Sequence, residues 1–176
     1  MELRLYSFTN FYLSDMQKGI QTGHMAVDLV REYAFTAQYE DASVLHNEHQ
    51  AMVADWADNH KTFIVLNGGN NAALKETVDL VKDVDLPWTL FCEDDQSLGG
   101  IMTCVGVVVP ENYFNAKLDF KATYEGFPCT TIAVGEGTPE CFYLSGDNPI
   151  VEEQLNSNKQ NALFKFIKLI RTARLA

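Results

Sequence analysis

A strand-like run that leads directly into a capped helix is the feature that most constrains the fold of this chain. Residues 3–12 are rich in β-branched and aromatic types, as strands are. Ser14 then offers an N-cap, and Gln17 three residues later completes a capping box. Apolar runs at 62–66 and 102–109 alternate with helical patterns further along the chain. The resulting order, β-α-α-β-α-β-β, predicts an α/β fold, a three-layer sandwich around a mixed sheet.

Two burial patterns refine this prediction. The first helix carries apolar or small residues at helical spacing, which predicts its buried face: Ile20, Gly23, Val27, Val30 and Ala34. Gly19 and Gly23 each cost about 1 kcal/mol relative to Ala in a helix, so we expect another backbone or a ligand to approach that face closely. The run 62–66 is almost wholly apolar, which predicts a strand in the middle of a sheet that is covered on both sides.

Charge divides the 176 residues unevenly. Residues 1–110, the predicted α/β core, hold 6 basic and 16 acidic side chains, while residues 154–176 hold five basic and no acidic ones. Because phosphate contacts supply most of the affinity of nucleic-acid binders, a chain of net charge −11 is not expected to bind duplex nucleic acid. Residues 111–176 are predicted to form an extension with extra strands and a basic amphipathic helix packed on the core. The alternatives are that this helix packs in a homo-oligomer, that it touches a membrane surface, or that Lys165, Lys168 and Arg171 border a pocket for a phosphate-bearing ligand; no membrane partner is expected.

The remaining sequence features point to a cytoplasmic protein without a cofactor. The four cysteines form no C-x-x-C pair, so we expect reduced thiols. No apolar run approaches the roughly 18–20 residues of a membrane span, and residues 1–4 do not resemble the start of a signal peptide. His46 and His49 lie three positions apart but do not form the H-E-x-x-H pattern, so His49 is interpreted as a core residue and no metal site is predicted.

Two turns are candidate ligand sites. Gly68, Gly69 and Asn70 lie between a strand and a helix, where backbone N–H groups can bind an anion; the alternative is a plain turn with an asparagine cap. Three acids in the turn 93–95 could bind a metal, but we expect a solvated turn, and Gln96 and Ser97 after it are candidates for hydrogen bonds to a ligand. Both turns lie on the same side of the sheet if their strands run parallel.

The first helix also carries polar candidates. Gln21 and His24 lie one turn apart, after Gln17 and Lys18. We interpret Gln21 and His24 either as a partly buried, hydrogen-bonded pair or as ligand contacts. Histidine can act as an acid or a base near pH 7.

Several segments together indicate a family. They are Gln21-Thr22-Gly23-His24-Met25-Ala26, Trp56, the run 63–66, Leu86-Pro87 and the run 103–110. Over about residues 3–110 the chain thereby resembles the type 2 peptidyl-tRNA hydrolases. The resemblance implies cleavage of the ester of peptidyl-tRNA, with Lys18, His24 and Asp94 as catalytic residues.

The chain departs from that family's pattern at two places. The family's helix lysine falls at Gln17, one residue before Lys18, and residues 93–97 replace its Asp-Ala-Gly-x-Thr turn. The runs 6–12 and 95–98 also resemble short phage proteins of unknown role, which would place this protein in the host cytoplasm.

Three functions are therefore compared. The first is a non-catalytic protein of phage origin that binds a small ligand, a nucleotide, and sequesters a nucleotide signal of host defence. Its ligand-binding residues would be Gln17, Gln21, His24, Gly68, Gly69, Asn70, Gln96 and Ser97. The second is a peptidyl-tRNA hydrolase, and the third is an interaction protein that oligomerises through its last helix.

Overall fold

The computed structural model describes residues 1–35, 44–94, 99–124, 127–133, 141–144 and 158–176. The chain divides into two compact units, one formed by residues 1–110 with 173–176 and the other by residues 111–172. The packing of the C-terminal extension on the core stays a prediction. Within the described ranges, no helix has the length and apolarity needed to cross a bilayer.

The first unit is built on a four-stranded mixed sheet. Its strands are β1 (Leu3–Thr9), β2 (Thr62–Asn67), β3 (Trp88–Cys92) and β4 (Met102–Pro110), in the order β2-β1-β4-β3. β1 pairs parallel with β2 and antiparallel with β4, and β4 pairs antiparallel with β3. The helices are α1 (Asp15–Phe35), α2 (Val44–Asp55), which continues as a π-helix (Trp56–His60), and α3 (Asn71–Asp83). The predicted α/β fold with a mixed sheet and this element order is confirmed.

Helices cover both faces of the sheet, which gives the three layers. On one face, Leu3, Leu5 and Val108 share a core cluster with α1 and α2. The helices contribute these buried residues to that cluster: Met25, Ala26, Leu29, Tyr33, Val53 and Trp56. On the opposite face, α3 buries Leu74, Val78 and Val81. Each such large apolar side chain stabilises the fold by about 1.5–3 kcal/mol on burial, so the two clusters hold the sheet between its helices.

The predicted buried face of α1 is wrong. Ile20 and Val27 are 48% and 59% exposed, whereas Met25, Leu29 and the polar Thr22 are buried. The helix has apolar residues on two faces, and sequence periodicity favoured the one without polar residues. The other face is the buried one because its polar side chains find partners in the core, as the 2.8 Å hydrogen bond between the Thr22 and Ser7 hydroxyls illustrates.

The position of β2 also differs from the prediction, because this strand lies at the edge of the sheet and not in its middle. Phe63 is 43% exposed. The outer edge of β2 hydrogen-bonds to the last residues of the chain: Asn67 N donates to Arg174 O at 2.9 Å, and Ala176 N donates to Val65 O at 3.0 Å. A fully apolar run is therefore compatible with an edge strand when other residues cover that edge.

No described part of the chain approaches Gly19 or Gly23 closely, since a Cβ at either position would meet no described atom within 4 Å, and the approach of a ligand there stays a prediction. The close approach occurs instead at Gly106 of β4, where a Cβ would lie 2.0 Å from Met25 Sδ. Glycine at position 106 thus allows α1 to pack directly on the sheet.

The second unit contains its own sheet. Its elements are α4 (Glu111–Phe114), β5 (Lys117–Tyr124), β6 (Phe127–Ala133), β7 (Cys141–Leu144) and α5 (Asn158–Thr172). The three strands are antiparallel in the order β5-β6-β7. Phe164 and Ile167 of α5 pack with Ala116, and Arg171 Nη1 donates to Phe114 O at 2.8 Å, which fixes α5 to α4. Residues 134–140 and 145–157 of the predicted extension lie outside the described residues.

Candidate active site

Three strand ends and the start of α1 meet at one edge of the sheet. β3 runs in the same direction as β1 because both are antiparallel to β4. The carboxyl ends of β1, β2 and β3 therefore share an edge, which satisfies the condition for placing the two candidate turns on one side. Ligands of open α/β sheets bind outside the carboxyl ends of the strands, so this edge is where a site is expected.

A capping box fixes the start of α1 at that edge. Ser14 N donates to Gln17 Oε1 at 3.0 Å, and Gln17 N donates to Ser14 Oγ at 3.4 Å. This is the reciprocal pattern predicted from the sequence, which is thereby confirmed. The amide of Gln17 is exposed and is used by the cap.

Gln21 joins α1 to β3 and β4. It is 5% exposed, and its Nε2 donates to the Glu93 carboxylate just beyond β3. Thr103 Oγ1 lies 3.4 Å from Gln21 Oε1 and 3.2 Å from the Phe91 carbonyl oxygen, to either of which its single hydroxyl hydrogen can be donated. A hydrogen bond to a carboxylate is roughly twice as strong as a neutral one, so this contact fixes the helix against the acidic turn.

His24 lies one turn further along α1 and remains accessible. Its ring is 5.1 Å from the Phe91 ring, in an edge-on arrangement. Because Phe91 and Glu93 are two residues apart, Gln21 and His24 contact the same end of β3. An exposed imidazole beside this strand end is able to exchange a proton with a bound molecule.

Lys18 lies one turn before Gln21, on the same side of the helix. Its side chain is only 12% exposed, and its Nζ is 3.2 Å from Asp15 Oδ1. Gln17 is exposed and belongs to the cap, whereas the side chain of Lys18 is largely covered by the rest of the chain.

A buried polar cluster that sequence reasoning missed lies under α1. Ser7 Oγ is 2.8 Å from Thr22 Oγ1 and 3.0 Å from Cys104 Sγ, and all three residues are buried. Burial raises the pKa of the Cys104 thiol to about 11, so this thiol is protonated and unreactive at neutral pH. The available signal was the two-residue alternation of β1, which turns Ser7 to the same face as Leu5.

The Gly68 turn is occupied by contacts within the chain. Gly68 N donates to Thr9 O at 2.8 Å, Gly69 N donates to Asn67 Oδ1 at 2.9 Å, and Asn70 Oδ1 accepts from Ala73 N at 3.0 Å. This geometry favours the plain turn with an asparagine cap. The turn follows β2, three strand spacings or about 14 Å from the end of β3, so it is not brought together with Gln21 and Glu93.

The other candidates contribute less. Asp94 is exposed, directly after Glu93, and its carbonyl accepts from Gly100 N at 3.4 Å. Gln96 and Ser97 lie outside the described residues.

His49 is half-buried beside Tyr33, with ring centroids 6.1 Å apart, as a core histidine would be. Across the part of the chain that the structure describes, no three His, Cys, Asp or Glu side chains are grouped as metal ligands would be.

Comparison with known proteins identifies the family of this fold. The family model described as Peptidyl-tRNA hydrolase PTH2 matches residues 13–116, from the residue before the cap of α1 to just beyond α4. A search of curated proteins gave no match. Because the family model covers more than half of the 176 residues, this chain belongs to the peptidyl-tRNA hydrolase PTH2 family.

Proposed function

We propose that this protein is an esterase that cleaves the bond between a peptide and tRNA. The observation that carries the proposal is the hydrogen bond from Gln21 to Glu93, in a chain of this family. This hydrogen bond brings α1 to the acidic turn 93–95 and leaves His24 exposed at the same end of β3.

The reaction assigns a role to each catalytic candidate. A water molecule attacks the ester carbonyl carbon while His24 takes one of its protons. The resulting oxyanion is stabilised by the ammonium group of Lys18, and Asp94 orients the imidazole. The bond to the ribose oxygen then breaks, and that oxygen takes the proton from His24, which releases the free peptide acid and the tRNA hydroxyl. Gln21 acts as a positioning residue through Glu93.

The charge of the core limits how tRNA is held. With 16 acidic and 6 basic side chains in residues 1–110, few phosphates can be contacted. We therefore expect contact to be confined to the acceptor end and the affinity to fall only shallowly with salt. A log–log slope of about −1 to −2 would correspond to one or two phosphate contacts.

Hydrolysis of an N-blocked aminoacyl-tRNA, measured as the N-blocked amino acid that is released, tests the proposal. His24→Ala should lower kcat/KM by about 10²-fold or more, and Lys18→Ala and Asp94→Ala should each lower it measurably. Lys82→Ala is a matched control for Lys18→Ala, because Lys82 on α3 also pairs with an aspartate three residues earlier, at 3.6 Å. Wild-type protein without activity would reject the function, and activity unaffected by all three substitutions would reject these roles.

The second candidate is the nucleotide-binding protein of phage origin. It is favoured by the replacement of the family's turn at residues 93–97 and by the acidic core, since one nucleotide requires far fewer cationic contacts than tRNA. Mass spectrometry of molecules released from purified protein, together with melting temperatures measured with added nucleotides, tests this alternative. A preparation without bound nucleotide and without a shift in melting temperature would reject it.

A further inference from the structure

An apolar groove lies between α1 and β2, away from Glu93. Its volume is about 460 Å³, within the range of roughly 300–1,000 Å³ that is typical of small-molecule sites. The residues that line it include Gly23, Val27, Arg31, Trp56, Lys61 and Phe63. The candidate active site occupies the other flank of α1, where this helix meets β3 and β4.

Two aromatic rings form one wall of the groove. The rings of Trp56 and Phe63 meet edge to face, 5.2 Å apart. Trp56 Nε1 donates to Thr62 O at 3.2 Å, so the polar atom of the indole is already satisfied. Trp56 is only 4% exposed, so Phe63, which is 43% exposed although it belongs to a strand of the core sheet, supplies most of the apolar ring surface of this wall.

The backbone beside this wall has an unusual conformation. Trp56 opens a π-helix, a rare form that is frequent at functional sites. The π-helix ends at Lys61, which adopts a left-handed conformation with φ 53°, and Lys61 N donates to Trp56 O at 2.9 Å. This region is disfavoured for a non-glycine residue, so the surrounding structure holds Lys61 at the rim against a local preference.

Gly23 keeps the floor of the groove open. A Cβ at this position would meet no described atom within 4 Å, so packing within the described chain does not require glycine here. Glycine in the middle of the 21-residue α1 nevertheless destabilises the helix relative to Ala. An occupant of the groove would account for that residue.

The rim is cationic although the chain is acidic. The whole protein has 13 basic and 24 acidic side chains, yet Arg31 and Lys61 both border the groove. Arg31 Nη1 is 4.0 Å from Asp28 Oδ1, a distance that marks a weak pair, and no ion pair involves Lys61 among the residues that the structure describes. These two charges favour an occupant that has a negative end.

We propose that the groove binds a small amphiphilic carboxylate. Its hydrocarbon body lies between Gly23, Val27 and the two aromatic rings, and its carboxylate lies between Lys61 and Arg31. This function is independent of ester hydrolysis on the other flank of α1.

The test uses full-length protein with decanoate as the probe and decanol as its uncharged counterpart. Binding is measured by isothermal titration calorimetry at pH 8. Decanoate should bind with a dissociation constant below 1 mM, and about threefold more tightly than decanol, as an exposed ion pair contributes. Lys61→Asn, which tolerates the left-handed conformation, should reduce that threefold difference, because only Arg31 then remains beside the carboxylate, and should leave decanol binding unchanged.

Gly23→Leu is the decisive variant, and Gly19→Leu is its control. Both positions are open on the same helix, but only Gly23 lines the groove. Gly23→Leu should weaken decanoate binding at least about tenfold by filling the space, while Gly19→Leu should change it less than twofold. Equal binding by the two variants, or no binding of decanoate to wild-type protein, would overturn the proposal. So would a wild-type dimer in light scattering that Gly23→Leu converts to monomer, because the groove would then be an interface between copies.

Discussion

Substituting Gln21 by Glu tests the contact that connects α1 to the acidic turn 93–95. Gln21 is 5% exposed and donates to Glu93, so Gln21→Glu places a second carboxyl against the first at nearly unchanged volume. Two unit charges about 4 Å apart repel by about 4 kcal/mol at an effective dielectric constant of 20. Relaxation of the exposed turn reduces this, so we expect a loss of about 2–4 kcal/mol in the free energy of unfolding at pH 8.

The pH dependence of this loss has a definite sign. Repulsion from Glu93 and burial both raise the pKa of the introduced carboxyl above the usual value for glutamate, about 4.3. Below that value the introduced group is protonated in both states, and it donates to Glu93 much as the amide did. The contribution of this hydrogen bond to the free energy of unfolding of Gln21→Glu is therefore present at pH 4. It is lost as the pH rises through the raised pKa of the introduced carboxyl in the folded state.

Urea unfolding followed by circular dichroism between pH 4 and 8 measures the effect. Gln21→Leu serves as the control, because it removes the hydrogen bond at similar volume without adding a charge. We expect a loss of about 1.5–3 kcal/mol for this control, with little change over the pH range beyond that of wild type. The reasoning is refuted if Gln21→Glu and wild type differ by the same amount at pH 4 and pH 8. In that case Glu93 does not accept from position 21 in solution.

Three further predictions concern the packing of the unit formed by residues 1–110 with 173–176. Gly106→Ala should destabilise the fold by about 1–3 kcal/mol in urea unfolding, and Met25→Val should recover part of the loss, because the new methyl group overlaps the end of the Met25 side chain. Gly68→Ala should cost a similar amount, since its Cβ would lie 2.5 Å from Leu74 Cδ2; a variant as stable as wild type would argue against the tight turn. Stability relative to Cys104→Ala should fall by about 2–3 kcal/mol between pH 9 and 11, because burial raises the pKa of Cys104 from 9.0 to about 11, so the unfolded thiol ionises first.

Local signals in the sequence were sufficient for the elements and their order. The capping box of Ser14 and Gln17 is visible within four residues and determines where α1 begins. The apolar run 102–109 is correctly placed as a buried strand, because β4 has neighbours on both sides and a helix over each face. These features depend on neighbours in the sequence, and so a pattern of residue types was enough to find them.

The site itself depends on contacts that are distant in the sequence. Gln21 and Glu93 are 72 residues apart, and Ser7 and Cys104 are 97 apart. The spacing of apolar residues along the sequence carries no information about such pairs. Composition likewise failed to distinguish an edge strand from a central one in β2, because what covers its edge comes from residues 174–176 at the other end of the chain.

Lys18 lies one residue after the position of the family's helix lysine. It shows that a motif on a helix is better compared by the face that a residue occupies than by its position in the sequence. Consecutive residues differ by about 100° around a helix, so Gln17 and Lys18 point in clearly different directions. Position 17 has its amide in the cap, and a lysine there would remove the acceptor that Ser14 N uses. Position 18 lies one turn from Gln21 and is largely covered. The cap and the largely covered lysine thus occupy adjacent positions, and moving the lysine by one residue allows the same turn to supply both.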